Sequence, residues 1–238
     1  MKFKETLSKL KNNILDIVFP DGITCILCGR DIPQGDICDK CQKKDIFNNA
    51  NRCQVCDTPI KEGNIICDHC KSNKRAFKSV STPLLYEGEV RSALLKFKSD
   101  SAKYLAAPFA KLIFERVQKD NIDFDVIVPV PSHIKTIRKR GYNPARVLAE
   151  ELALLSGKPV CDILVKTVLT KNQKFLDFKE RQTNLENSIT LTDSAQIKGK
   201  KVLLVDDIIT TAATINACAI LMHKATAIHA CALARRAI

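Results

Sequence analysis

Tryptophan is absent from this 238-residue sequence, and aromatic residues make up only 5% of it. That scarcity argues against recognition of single strands by successive aromatic stacking platforms. No stretch reaches the roughly 18 consecutive apolar residues that a membrane-spanning helix needs. The opening MKFKETLSKLKNNILDIVF also lacks the continuous apolar centre and small-residue cleavage site of a signal peptide. Its Leu7, Leu10, Ile14, Ile17 and Val18 recur at helical spacing, so residues 1–20 are predicted to form an amphipathic helix. Together these absences point to a cytoplasmic protein, whose thiols stay reduced. Negative charge is in short supply as well: 26 Asp and Glu stand against 38 Lys and Arg, a formal net charge of +12. The excess is spread along the chain with no basic tail. It favours a polyanionic or phosphorylated partner, although a solvated basic surface would give the same count.

What the chain does have is cysteine, 11 residues of it, and the first eight form four CxxC pairs. CILCGRDIPQGDICDKC is followed, 28 or 29 residues later, by CQVCDTPIKEGNIICDHC, an internal repeat. Two thiolates separated by two residues form a knuckle, and two facing knuckles make a closed tetrahedral sulfur site that suits Zn²⁺. The repeat assigns one structural zinc to Cys25, Cys28, Cys38 and Cys41 and a second to Cys53, Cys56, Cys67 and Cys70; a cross-braced pairing is the alternative. Disulfides do not fit the compartment, and an iron–sulfur cluster fits two regular CxxC…CxxC units less well. His69 lies inside the last pair, but four cysteines already complete the site. Some fifty residues with few large apolar side chains cannot fold on a hydrophobic core. Metal binding, of order 10 kcal/mol per site, must supply the folding free energy. Cys161, Cys218 and Cys231 lie in apolar stretches and read as core.

From residue 77 the pattern changes. SVSTPLLYE suits a strand, residues 88–97 and 101–118 are periodic as helices, and DVIVPV (125–130) is a buried strand. A loop leads to the helix PARVLAEELALLSG, then come the strand KVLLVDD, a helix over 213–223 and the strand TAIHACALA (226–234). Strands that are apolar throughout imply an α/β fold, a parallel sheet flanked by helices on both faces. The predicted organisation is therefore the helix 1–20, a double zinc-ribbon module over 21–76 and an α/β domain over 77–238.

Ligands of such sheets bind at the carboxyl ends of strands, where Asp206 and Asp207 fall. Alternation sends their side chains in opposite directions, so the two charges need not touch. An anionic site here serves a ribose diol or a hydrated Mg²⁺. Residues 208–214 then offer successive backbone N–H groups, three threonine hydroxyls and a helix N-terminus, which suit a phosphate monoester. An Asp cap followed by a Thr-rich turn is the blander reading.

KVLLVDDIITTAAT resembles the ribose-5-phosphate signature of the type I phosphoribosyltransferases. VPVPSHIKTIRKRGYNPARVLAEELA, YEGEVRSALLKFK and the closing LARR resemble the ComF family. So does TKNQKFLDFKERQTN, whose Thr170, Gln173, Leu176, Arg181 and Asn184 fit that family's hood segment. A cysteine-rich zinc module ahead of the domain is typical of it, and the likeness covers residues 20–238. The resemblance implies that Asp206 and Asp207 contact the ribose hydroxyls of phosphoribosyl pyrophosphate, directly or through Mg²⁺. Thr210, Thr211, Ala212, Ala213 and Thr214 would hold the 5-phosphate, with Pro131 and Ser132 near the pyrophosphate. Arg138, Lys139, Arg140 and Arg181 could neutralise the pyrophosphate or contact a DNA backbone, and His133 could serve as a general acid.

By the same resemblance the chain is a competence protein that handles incoming single-stranded DNA together with a DNA-uptake helicase. The alternative is an active phosphoribosyltransferase that releases pyrophosphate, though no dedicated base-recognition segment is legible. Two positions depart from the family pattern. The loop reads TTAAT where TTGAT is usual, so Ala212 brings a Cβ to a position that can demand φ > 0. The basic turn reads RGYNP where Gln commonly follows Asn; Pro144 removes a donor but suits a first helical turn.

Overall fold

The computed structural model describes residues 24–49, 51–167 and 188–236. The predicted N-terminal helix and the hood segment with Arg181 lie outside the described residues. The chain forms two compact units, residues 1–44 and 45–238. The division falls between the two cysteine repeats, so the second repeat belongs to the same compact unit as the α/β domain. The first unit carries the short helix α1 (Asp39–Gln42), with Cys38 at its N-cap position and containing Cys41 of its second knuckle.

The second unit opens with α2 (Asp68–Ser72), β1 (Ser79–Ser81) and β2 (Leu84–Leu85). The helices α3 (Gly88–Phe97) and α4 (Ala106–Lys119) follow, then β3 (Val126–Pro129), α5 (Ile134–Arg140) and α6 (Pro144–Ser156). Next come β4 (Leu164–Lys166), β5 (Ile189–Leu191), β6 (Lys201–Ile209), α7 (Ala213–Leu221) and β7 (Ala227–Arg235).

The sheet is parallel, in the order β1-β7-β6-β3, with β2 also paired to β7. Helices cover both faces, as strands without polar alternation require. Val202, Leu204, Ala230 and Ala232 pack with Ile215 and Cys218 of α7. The opposite face carries α4 and α6, which lie against each other and on β7, β6 and β3. Parity along β6 thus assigns Asp206 to the α7 face and Asp207 to the α4/α6 face.

Three elements differ from the sequence reading, each for a local reason. The single strand over 79–87 is broken into β1 and β2. Pro83 has no N–H for the ladder, and the Thr82 N–H goes to a carboxylate oxygen of Asp57 at 2.7 Å. The stretch 134–140, read as loop, is the helix α5, capped by the His133 side chain and ended by Gly141 at φ 86°. The helix over 101–118 begins as a 3₁₀ turn, Asp100–Leu105, before α4. Among the described residues no helix is long and apolar enough to cross a membrane.

Candidate sugar-phosphate site and metal centres

The two repeats build the same knuckle twice. In the first, Cys25 N–H donates to Arg30 O (2.7 Å) and Gly29 N–H to Cys25 O (2.8 Å); in the second, Cys53 N–H donates to Thr58 O and Asp57 N–H to Cys53 O, each at 2.8 Å. The sulfurs gather as Cys25/Cys28/Cys38/Cys41 and Cys53/Cys56/Cys67/Cys70, and within each set all lie within 4.8 Å of one another. This is the sequential grouping, not the cross-braced one. Backbone N–H groups already point at the thiolates: Cys38 N–H to Cys25 Sγ and Cys67 N–H to Cys53 Sγ, both 3.4 Å. The Cys41 N–H holds the Cys38 thiol down to about 7, while burial pushes the Cys41 and Cys56 thiols up. Four soft donors at this spacing, with burial opposing ionisation of at least one in each set until a cation arrives, fit Zn²⁺.

The knuckles differ at one residue. Gly29 and Asp57 occupy equivalent left-handed positions, φ 72° and 63°, where a Cβ is normally unwelcome. Asp57 is fully buried, and its carboxylate accepts hydrogen bonds from Asn48, Arg52, Thr82 and Arg116. Arg116 on α4 also bonds Asp120 (2.9 Å) and the Asn48 carbonyl (2.8 Å), and Arg52 bonds Asp120 (2.6 Å). The second ribbon is therefore tied to β1, β2 and α4 by a buried polar network. A further tie runs to the loop after β6. Arg75 donates to Thr211 O at 3.4 Å, and Ala76 N–H donates to the Asn216 side-chain oxygen at 2.9 Å.

Asp206 and Asp207 reach opposite faces of β6, yet both line one cleft of about 350 Å³. Asp207 pairs with Lys98, at the end of α3, at 2.8 Å. Asp206 accepts from the Asp207 N–H at 2.8 Å and faces Lys166 of β4 and Cys218 of α7. Burial, and next the charge of Asp207, push the Asp206 carboxyl up to about 7. Val130, Pro131, Ser132, His133, Thr136, Arg140, Asn143 and Thr214 complete the lining. Ser132 donates to the Asn143 side-chain oxygen at 3.0 Å, and that oxygen caps α6 through Ala145 N–H. The sequence RGYNP is thereby accounted for. Tyr142 donates to the Phe97 carbonyl just before Lys98, Asn143 caps, and Pro144 fills the first helical position. His133 Nδ1 accepts the Lys135 N–H, so that nitrogen is engaged in capping. Arg140 lines the cleft, whereas Arg138 and Lys139 are exposed and do not.

Near its C-terminal end β6 thus carries paired carboxylates, continues to Ile209 and runs through a short loop into the N-terminus of α7, with Lys98 and Lys166 lining the same cleft. The Phosphoribosyl transferase domain model matches residues 101–238 and the Double zinc ribbon domain model residues 14–72. The chain belongs to the phosphoribosyl transferase domain family. Its curated relatives include Competence protein F of Haemophilus influenzae, 26% identical over 209 residues, covering 84% of this chain and 90% of that protein. DNA utilization protein YhgH of Escherichia coli K12 is 24% identical, with coverage of 80% and 86%. Competence protein ComFC of Bacillus subtilis is 26% identical, with coverage of 85% and 78%. Among solved structures, a purine phosphoribosyltransferase from Pyrococcus horikoshii aligns with 55% of this chain and 81% of its own, at 18% identity and TM-score 0.33.

In this phosphoribosyl transferase domain the loop after β6 holds the left-handed turn despite its alanine. Ala212 sits at φ 58°, ψ 19° as the cap residue of α7, with its methyl buried in the core beside Ile215. The methyl neither closes the loop nor blocks the turn, but a left-handed alanine costs about 1–2 kcal/mol. Ala212→Gly is expected to raise stability by about 0.5–1 kcal/mol, because glycine's unfolded-state entropy offsets part of the relief. Urea midpoints decide it; a loss of stability would mean that methyl packing outweighs the strain. Lys98, Lys166, Thr136 and Asn143 are cleft residues that sequence reasoning missed. Only Asn143 left a signal, as an Asn before Pro at a helix start; a single lysine at an element's end has no motif.

Proposed function

We propose that this chain is a competence protein acting on incoming single-stranded DNA, and that its phosphoribosyl transferase domain binds phosphoribosyl pyrophosphate with Mg²⁺. The observation that carries the ligand is the cleft itself. Asp206 and Asp207, near the C-terminal end of β6, share the lining with Lys98, Lys166 and Arg140, an arrangement of carboxylates for a diol and cations for a pyrophosphate. Asp206 and Asp207 would accept the ribose hydroxyls or hold Mg²⁺, which when bound neutralises charge on the pyrophosphate. Backbone N–H groups and hydroxyls of Thr210, Thr211, Ala212, Ala213 and Thr214, at the positive end of α7, would receive the 5-phosphate. Lys98 would exchange its bond to Asp207 for the ligand. Pro131 and Ser132 would shape the pyrophosphate side, with Arg140 as its cation. Arg138 and Lys139, exposed on α5, are free for a DNA backbone. The names of the relatives, together with the net charge of +12, support the DNA reading, and a DNA-uptake helicase is the partner that reading implies.

The test is calorimetric titration of zinc-loaded protein with phosphoribosyl pyrophosphate and Mg²⁺, beside Asp206→Asn/Asp207→Asn. Micromolar binding that the double variant loses is expected. No binding by the wild type would remove the ligand from the proposal. Pyrophosphate release with any acceptor base would instead favour the transferase reading.

A further inference from the structure

Away from the cleft, the largest fully buried side chain among the described residues is Arg235, at the end of β7. A guanidinium has five donors and a fixed positive charge, and burying one requires an anion. Among the described residues Arg235 has no carboxylate ion pair. Its Nη2 donates to Cys56 Sγ at 3.5 Å, while Nε and Nη1 find no hydrogen-bond partner. The anionic groups facing it are Cys56, Asp57, Cys67 and Cys70, and the Asp57 carboxylate is already filled by Asn48, Arg52, Thr82 and Arg116.

The missing anion is the thiolate cluster. Four thiolates around Zn²⁺ carry a net charge of about −2, which is costly in an interior unless a cation lies beside it. A second guanidinium, Arg75, lies against Cys70, with its Nε buried and unpartnered. The first centre is built differently. One of its ligands, Cys28, is exposed.

We infer that Arg235, assisted by Arg75, is the counter-ion of the second Cys₄ centre, so that the protein holds its two zinc ions unequally and retains the second more firmly. A buried guanidinium beside the cluster offsets the net negative charge of four thiolates around the metal and would favour the loaded centre. Groups just outside a metal's ligand shell typically change its retention by about 10–100-fold.

The experiment loads the full chain with two equivalents of zinc, adds excess chelator and follows release with a colorimetric zinc dye. Wild type should release in two phases of equal amplitude, the fast one absent in Cys38→Ser. Arg235→Met, which keeps the apolar bulk, should accelerate the slow phase by about tenfold or more and leave the fast phase alone. Arg235→Lys, which keeps the charge, should stay nearer to wild type than to Arg235→Met. A single wild-type phase, an unchanged slow phase in Arg235→Met, or equal release by the Lys and Met variants would each overturn the inference. If Arg235→Met does not fold, Arg75→Met carries the test: its slow phase must accelerate, and an unchanged one overturns the inference equally.

Discussion

Asp57→Gly should destabilise the zinc-loaded protein by about 3–5 kcal/mol, even though glycine is what the backbone there favours. At φ 63° the substitution relieves about 1–2 kcal/mol of left-handed strain. Against that relief stands the loss of a fully buried carboxylate that accepts from Thr82 N–H (2.7 Å), Thr82 Oγ1 (2.6 Å), Asn48 Nδ2 (2.9 Å) and Arg52 (2.6 Å). Arg116, 5% exposed, would keep Asp120 but lose a 3.3 Å contact with the only other carboxylate it touches among the described residues. Removing one partner from a buried ionic network leaves the others desolvated and unpaired, which is why the loss exceeds the relief. For a domain of this size the melting temperature should fall by about 6–20 °C. The equivalent test in the first repeat needs no variant, because Gly29 already occupies that position. An unchanged or raised melting temperature would mean that the network does not hold the second ribbon to the domain.

Asp206→Asn should do the opposite in the free protein and abolish ligand binding. The Asp206 carboxyl is pushed from 3.8 up to about 7. Its favourable contribution is therefore fully present below about pH 4. It is lost as pH rises through about 7, where the folded state must hold a buried charge that the unfolded chain carries freely. At pH 8 the variant, free of that charge, should be more stable by on the order of 2–4 kcal/mol; near pH 4 the two proteins should match. Thermal melts at pH 4, 6 and 8 measure this. Added Mg²⁺ should raise the wild-type melting temperature more at pH 8 than at pH 6 and leave the variant unmoved. A variant less stable than wild type at pH 8 would show that the ionised carboxylate stabilises the fold. The expected sign is that of a site kept at the expense of stability.

How much of this could be read from residues alone depended on whether the signal was local. Cysteine spacing declared both metal centres, because a knuckle is a four-residue object. The β6 string declared the loop, because strand, carboxylates and helix start are contiguous. Lys98 and Lys166 were not legible. They reach the cleft from the end of α3 and from β4, which belongs to a separate antiparallel pair with β5, and their spacing to Asp206 encodes nothing. The attachment of the second ribbon left a trace that could have been used. The repeat aligns Gly29 with Asp57, and an aspartate where its twin needs glycine implies a side chain with work elsewhere. The break at Pro83 was also visible, as proline in the interior of an assigned strand. The helix α5 had Ile134 and Ile137 at helical spacing and Gly141 as its stop, but the basic run obscured them.

The strand order β1-β7-β6-β3 has a consequence in time. The strand that bonds β1, β2 and β6 follows all of them in the chain, and Arg235 at its end meets Cys56 across 179 residues of sequence. During synthesis at about 5–20 residues per second, the cysteines of the second centre emerge roughly ten to thirty seconds before the arginine that faces them. The first centre can mature on the ribosome at once. The second has all four of its thiolates once Cys70 has emerged, but meets Arg235 only when the sheet closes. Translation speed through the intervening stretch, and the supply of free zinc during that interval, thus become determinants of yield that no equilibrium measurement on the finished protein would detect.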